Sequence, residues 1–389
     1  MRKKVVFLLS RFLDGGIDTM LVQYITNMVK YTDLQISLVI DLNYKELEVF
    51  LPQIPQSVKI IHIINSPVLL AYRKSKIVRK QKNRLLGFID ELLFNPIRRI
   101  VTGRKISDIA KKNDVLIDFD CHFGKFIKSK WRVKKITFFH FSLSRYKDNR
   151  KELKRIFTRM QSFDHVVMLC QGMLDEALEL CPTLANKYVV INNFVDPEKI
   201  SQQAEAALDS PFVDRPYIIA VERLDESSKD LTTLIKAYAI LKESIVNAPA
   251  MIIVGEGESR QQLEQLVCQL NLTESVYMPG FMSNPYPWIK GSEIMVHSSK
   301  SEGFGLSLVE GLMLNKLIVS TNCRVGPDEI LDNGKAGLLV TVGDAQELAN
   351  AMNQLLTDKN LRTYLLKNID KQKQKFTPDA SIKKLIDLF

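Results

Sequence analysis

The feature that most constrains this chain is a double series of short apolar runs, each followed by polar or helical sequence. KVVFLL, QISLVI, VKIIHII, DVLIDF, KITFFHF, HVVML and YVVIN make the first series. YIIAVE, AMIIVGE, SVYMPG, EIMVHS, KLIVSTN and GLLVT make the second. Strand-like runs alternating with helical sequence argue for an α/β fold with parallel sheets. Between the series lies SQQAEAALDSPFVDRP, a polar stretch with few bulky apolar residues, which reads as a linker. The expected architecture is two doubly wound, Rossmann-like domains, residues 1–205 and 206–372, with residues 373–389 as a C-terminal helix opened by Pro378 and Asp379. Open parallel sheets bind ligands at the carboxyl ends of their strands. Two such domains facing each other would form a cleft, so motifs just after strands carry the most weight.

Composition narrows the classes. MRKKVVFLLSR holds too short an apolar run for a leader peptide and reads as a first buried strand. No uninterrupted apolar run reaches the roughly 18 residues that span a bilayer. Cys121, Cys170, Cys181, Cys268 and Cys323 are scattered and odd in number, which disfavours a disulfide framework or zinc site and suits a reducing cytoplasm. The net charge of +10 is uneven: residues 1–200 carry +15 and the remainder −5. Its densest basic run, residues 73–99, holds nine basic and two acidic residues among Ile77, Val78, Leu85, Leu86, Phe88, Ile89, Leu92, Leu93 and Phe94. A basic amphipathic segment of this kind attracts anionic lipid headgroups, and a solvated helical face is the equal alternative. Nucleic acid is not expected, because no binding motif or stacking platform accompanies the charge.

Three strand-end motifs could carry chemistry. SEGFGLSLVE follows the run EIMVHSS. Gly303 and Gly305 permit a tight turn, a helix is expected from near Ser307, and its unpaired N–H groups suit a diphosphate. Glu302 on the loop and Glu310 in the first helical turns can accept hydrogen bonds from a sugar and from ribose hydroxyls. Alternatively, Glu310 favours the helix dipole and Glu302 faces solvent. VERLDESSKDL places Arg223 and Lys229 around a second loop, where two cations suit a diphosphate leaving group. LLSRFLDGGIDTM gives strand, Gly15-Gly16, then helix, a weaker phosphate signal.

These motifs resemble the retaining glycosyltransferase family 4, of GT-B fold. Glu302 and Glu310 match its Glu-x7-Glu signature, Arg223 and Lys229 its Arg–Lys pair, and VGEGESRQQLEQL its helix-leading glycine segment. The run from Asn284 to Leu331 is similar to a subgroup acting on lipopolysaccharide, capsule and other lipid-linked glycans. LDGGID resembles the family's GGxE turn, and KITFFHFS its strand ending in His140. The sequence departs from the family at Glu222 and Asp230, where glycines are usual, at Asp18, where the turn has Glu, and at Gly305, where the subgroup often has Pro.

The resemblance implies transfer of a sugar from a nucleotide-sugar, expected to be UDP-linked, to a glycan or glycolipid acceptor with retention of configuration. Glu302, His140, Arg223 and Lys229 would serve the chemistry. Gly16, Arg223, Lys229, Glu302, Gly303, Phe304, Gly305, Leu306 and Glu310 would hold the donor. The first domain would bind the acceptor and the last helix would cross back to it. No metal or other cofactor is expected to be obligatory. The implied location is cytoplasmic, peripheral on the inner face of the membrane, with residues 73–105 facing anionic lipid. His140 alone would read as a core histidine. Asp118-Phe119-Asp120 is a DxD at a strand end with His122 close by, and in a strand Asp118 and Asp120 would share one face. The GT-B resemblance argues against an obligatory metal there and leaves open a cleft-edge role toward acceptor for Asp120 or His122. Rival readings are a UDP-sugar epimerase and a non-catalytic partner subunit of the same fold. A nicotinamide oxidoreductase lacks its dinucleotide fingerprint in both domains.

Overall fold

The computed structural model describes residues 2–13, 15–67, 70, 73, 88–208 and 215–389. All thirteen apolar runs form strands. The first seven are β1 (Lys4–Leu9), β2 (Gln35–Leu42), β3 (Lys59–Ile64), β4 (Val115–Asp118), β5 (Lys134–Phe139), β6 (His165–Met168) and β7 (Tyr188–Val190). They pair in parallel in the order β3-β2-β1-β4-β5-β6-β7. The second set is β8 (Tyr217–Val221), β9 (Ala250–Val254), β10 (Val276–Gly280), β11 (Ile294–His297), β12 (Leu317–Thr321) and β13 (Leu338–Val340), ordered β10-β9-β8-β11-β12-β13. Both orders reverse direction after the first strand. That leaves a switch point between β1 and β4 in one sheet and between β8 and β11 in the other, where loops diverge and a ligand crevice opens.

Inner strands such as β1, β4, β11 and β12 are buried on both faces, so their sequences are continuous rather than alternating. In the first sheet Val6, Leu8, Val39 and Leu116 pack with Ile106 of the helix Asn95–Ala110 and with Phe163, just before β6. In the second, Ile218, Met251, Val296 and Val319 pack with Leu234 and Tyr238 of the helix Leu231–Ser244 and Met352 of the helix Ala345–Thr357. The chain divides into two compact units. One comprises Met1–Leu169, Leu174–Ile191 and Ile382–Phe389; the other Cys170–Met173 and Asn192–Ser381.

Two local expectations change. Residues 201–203 of the expected linker continue the helix Pro197–Gln203, capped by Asp196, whose carboxylate accepts from the N–H groups of Glu198 and Lys199. Lys290 pairs with Glu205 at 2.6 Å, tying the next residues to the second unit, while 209–214 lie outside the described residues. Asp118 closes β4, so Asp120 falls in a turn instead of sharing a strand face with it.

Candidate active site

In the second unit, the ends of β8 and β11 bring together Lys229 and Glu302, which lie 73 positions apart in the chain. Lys229 ends the loop after β8, and its ammonium donates to Glu302 on the loop after β11. His297, the last residue of β11, also reaches Glu302 Oε1, at 3.0 Å, as does Ser299 Oγ at 2.6 Å. Burial works against ionisation of Glu302, but the charge of Lys229 and the hydrogen bond from His297 outweigh it and hold this carboxyl well below the usual range. Burial likewise opposes the charge on Lys229, and Glu302 and Glu222 overcome it, so its pKa is raised.

The turn after Glu302 has the geometry its glycines suggest. Gly305 caps the helix Leu306–Met313 with φ of 101°, a left-handed conformation closed to proline. That accounts for glycine here where the resembling subgroup often has proline. The Phe304 side chain is buried against Phe376, ring centroids 5.9 Å apart, so this residue offers a ligand its backbone. Glu310 sits one turn into the helix. Its Oε1 accepts from the Tyr286 hydroxyl at 3.0 Å, and burial pushes its pKa up to about 7.

The departures from the family pattern are accommodated individually. Asp230 adopts φ of 49° as the cap of the helix Leu231–Ser244, and its carboxylate pairs with Lys300 at 3.1 Å. Its charge is thereby met by a cation. Glu222 is buried and accepts from the Ser298 N–H at 3.2 Å; burial raises its pKa. Arg223 is exposed and its side chain makes no hydrogen bond or ion pair among the described residues.

Gly16 and His140 belong to the first unit. Gly16 opens the helix Gly16–Tyr31 at the end of β1, where Asp18 caps its own helix by accepting from the Gly15 N–H at 2.9 Å. Burial raises Asp18 to about 6. His140 follows β5 and its Nε2 lies 2.6 Å from the Phe119 carbonyl, which can only accept. The hydrogen therefore sits on Nε2 and Nδ1 is left as an acceptor. Burial lowers its pKa to about 4, so the ring is neutral at ordinary pH. The loop beyond it is pinned by Glu176, which accepts from Ser142 Oγ at 2.9 Å and the Leu143 N–H at 2.8 Å.

Asp118 is engaged by its own loop and Asp120 by the loop after β1. Asp118 accepts from the Phe123 N–H at 2.7 Å and Asp120 from the Ser10 N–H at 3.1 Å. His122 lies 3.2 Å from Arg98 Nη2. Among the described residues no group of three or more His, Cys, Asp or Glu side chains is placed to hold a metal. Sequence reasoning singled out neither His297, Ser299, Tyr286 nor Glu176. A stricter use of the strand-end rule would have found His297, the final residue of the run feeding the glycine turn.

Comparison with known proteins bears on this site. Residues 202–372 match the family model "Glycosyl transferases group 1". The chain is 31% identical over 199 residues to the N-acetylgalactosamine-N,N'-diacetylbacillosaminyl-diphospho-undecaprenol 4-alpha-N-acetylgalactosaminyltransferase of Campylobacter jejuni, covering 51% of this chain and 52% of that protein. It is 31% identical over 178 residues to the lipopolysaccharide core biosynthesis glycosyltransferase LpsE of Rhizobium meliloti, covering 45% and 49%. The chain thus spans about half the length of the curated relatives it matches. Over 99% of its length it superimposes on Anabaena HepE crystallised with UDP-glucose, covering 98% of that chain with a TM-score of 0.76 and 19% identity. The fold is GT-B, built from two Rossmann-like domains.

Proposed function

We propose that this chain is a retaining glycosyltransferase. It moves a sugar from a UDP-sugar to a lipid-linked, lipopolysaccharide or capsule glycan. The observation that carries the reading is the switch point between β8 and β11, where Lys229, Glu302 and a glycine-capped helix start meet at strand ends. Support comes from the group 1 match over residues 202–372 and from relatives whose names specify diphospho-undecaprenol and lipopolysaccharide core substrates.

As the bond from the anomeric carbon to the diphosphate breaks, negative charge grows on the departing phosphate. Lys229, Arg223 and the N–H groups of the Gly303–Ser307 turn meet that charge and lower the barrier. Ionised Glu302 accepts from donor-sugar hydroxyls, and Glu310 accepts from the ribose. His140, neutral and with Nδ1 open, is suited to accept from a sugar hydroxyl and not to deliver a proton. The acceptor hydroxyl attacks the face that the diphosphate leaves, and the leaving phosphate takes its proton, so no side-chain base is required.

The chain acts on the inner face of the cytoplasmic membrane, held there by residues 73–105, of which 74–87 lie outside the described residues. Phe88, Leu92, Leu93, Ile97 and Ile100 are each more than half exposed, with Arg99, Arg104 and Lys105 exposed beside them in sequence. No described helix is long and apolar enough to cross a membrane.

The test is a nucleotide-sugar panel read by thermal shift and by slow donor hydrolysis, with Glu310→Ala alongside. Stabilisation and hydrolysis confined to one nucleotide and its sugar, and lost in the variant, are expected. Silence toward every nucleotide would overturn the transferase reading in favour of an inactive partner subunit.

A further inference from the structure

Glu302 is held asymmetrically. Lys229 Nζ, His297 Nε2 at 3.0 Å and Ser299 Oγ at 2.6 Å all converge on one oxygen, Oε1. Oε2 accepts no hydrogen bond among the described residues. A carboxylate only accepts, so the three groups must each supply a hydrogen, and His297 carries one on Nε2.

The histidine is itself built in. Its side chain is wholly buried, and Nδ1 lies 3.0 Å from Ser320 Oγ on the adjacent strand β12. The parallel register pairs His297 with Ser320 directly, which fixes the ring at both nitrogens. A second carboxylate, Glu222, lies 3.8 Å from Nε2 and is itself engaged by the Ser298 N–H. A buried histidine carries a desolvation cost that an aliphatic residue at this strand end would avoid. Of the groups around Nε2 the Glu302 carboxylate is the nearest, at 3.0 Å, ahead of Ser299 Oγ at 3.2 Å and Glu222 at 3.8 Å.

We propose that His297 is a positioning residue for recognition of the donor sugar. With Ser299 it fixes Glu302 Oε1 inside the fold, so that Oε2 alone is presented as an acceptor for a sugar hydroxyl. Lys229 bonds the same oxygen on its own account, independently of His297. The sugar assignment rests on the transferase reading above; the positioning of Glu302 does not.

Two readouts on the full chain separate these. The first is the Glu302 side-chain carboxyl carbon in 13C-glutamate-labelled protein, assigned with Glu302→Gln and titrated by NMR without ligand. In the wild type it stays ionised to the acid end of the folded range. His297→Leu raises its midpoint by at least about one pH unit, and His297→Gln, which keeps a donor near Nε2, restores most of the loss. An unmoved Glu302 midpoint in His297→Leu would overturn the positioning role, whether or not any nucleotide binds. The second is affinity for UDP and for UDP-glucose as probes. His297→Leu weakens UDP-glucose about tenfold and leaves UDP within about twofold. Equal loss of both probes would mean that the ring supports the whole site structurally, and would overturn the specific role. Failure of wild type to bind either probe would strike the transferase reading, while the titration still decides the positioning.

Discussion

Glu302 and Glu310 are eight residues apart and sit in opposite electrostatic settings. Glu302 faces an ammonium and an imidazole, which keep it ionised. Among the described residues Glu310 bonds only the Tyr286 hydroxyl, and burial lifts it from 4.5 to about 7. The sign for stability follows from the raised value. The protonated form is the one the fold favours, so the contribution is full below 4.5 and lost as pH rises through about 7. Ligand binding runs the other way, because a ribose hydroxyl is best met by the ionised carboxylate. UDP-glucose is the useful probe, since its diphosphate does not titrate in this window. Its affinity should rise roughly tenfold from pH 6 to pH 8, following the ionised fraction of a group with pKa near 7. Glu310→Gln should flatten that rise and also remove the loss of ligand-free stability over the same range. Calorimetric titrations and melting curves at matched pH check both. A wild-type affinity independent of pH would remove Glu310 from the ribose contact.

At the scale of elements, the glycines of the two units do different work. Gly326 has φ of 102°, and a Cβ there would lie 1.9 Å from the Phe304 carbonyl oxygen. The turn leading to the helix Leu306–Met313 is therefore packed backbone against backbone. Gly326→Ala should cost about 2 kcal/mol or more and displace that turn. The variant should melt earlier and lose its stabilisation by UDP-glucose. Gly16 is the contrast: a Cβ there meets nothing within 4 Å. Gly16→Ala should change stability by less than about 0.5 kcal/mol. A drop in donor hydrolysis with unchanged melting would then report a ligand contact at Gly16. Unchanged hydrolysis would remove Gly16 from the donor site. The strands themselves were legible because burial on both faces makes the inner ones continuous apolar runs, and all thirteen runs became strands. The linker was less so. Its polar helix Pro197–Gln203 is held by an Asp196 cap and by a contact from Asn284, which hydrogen-bonds the Gln203 carbonyl at 2.9 Å. Composition does not reveal a partner 81 residues away.

The same limit explains the site at the scale of the whole molecule. Motif spacing singled out Glu302, Glu310, Arg223 and Lys229 as candidates, because each lies on the loop or helix that follows a strand. It could not show that Lys229 and His297 share one oxygen of Glu302, since that depends on β8 and β11 lying side by side. Charge was legible in bulk, as the contrast between +15 over residues 1–200 and −5 over the rest. The structure shows that Phe88, Leu92, Leu93, Ile97 and Ile100 are exposed, most of them three or four residues apart as on one helix side. Each offers enough apolar surface for about 1 kcal/mol on burial in lipid, and the neighbouring cations add attraction to an anionic surface. The full chain should therefore sediment with phosphatidylglycerol vesicles, release partly in high salt, and bind phosphatidylcholine vesicles far more weakly. A Leu92→Gln, Leu93→Gln, Ile97→Gln triple variant should bind the anionic vesicles more than about tenfold more weakly. Its melting temperature and UDP-glucose affinity should be unchanged, because these side chains already face solvent. Wild-type protein that remains in the supernatant with anionic vesicles would leave the stripe without its lipid partner and move the search to another protein chain.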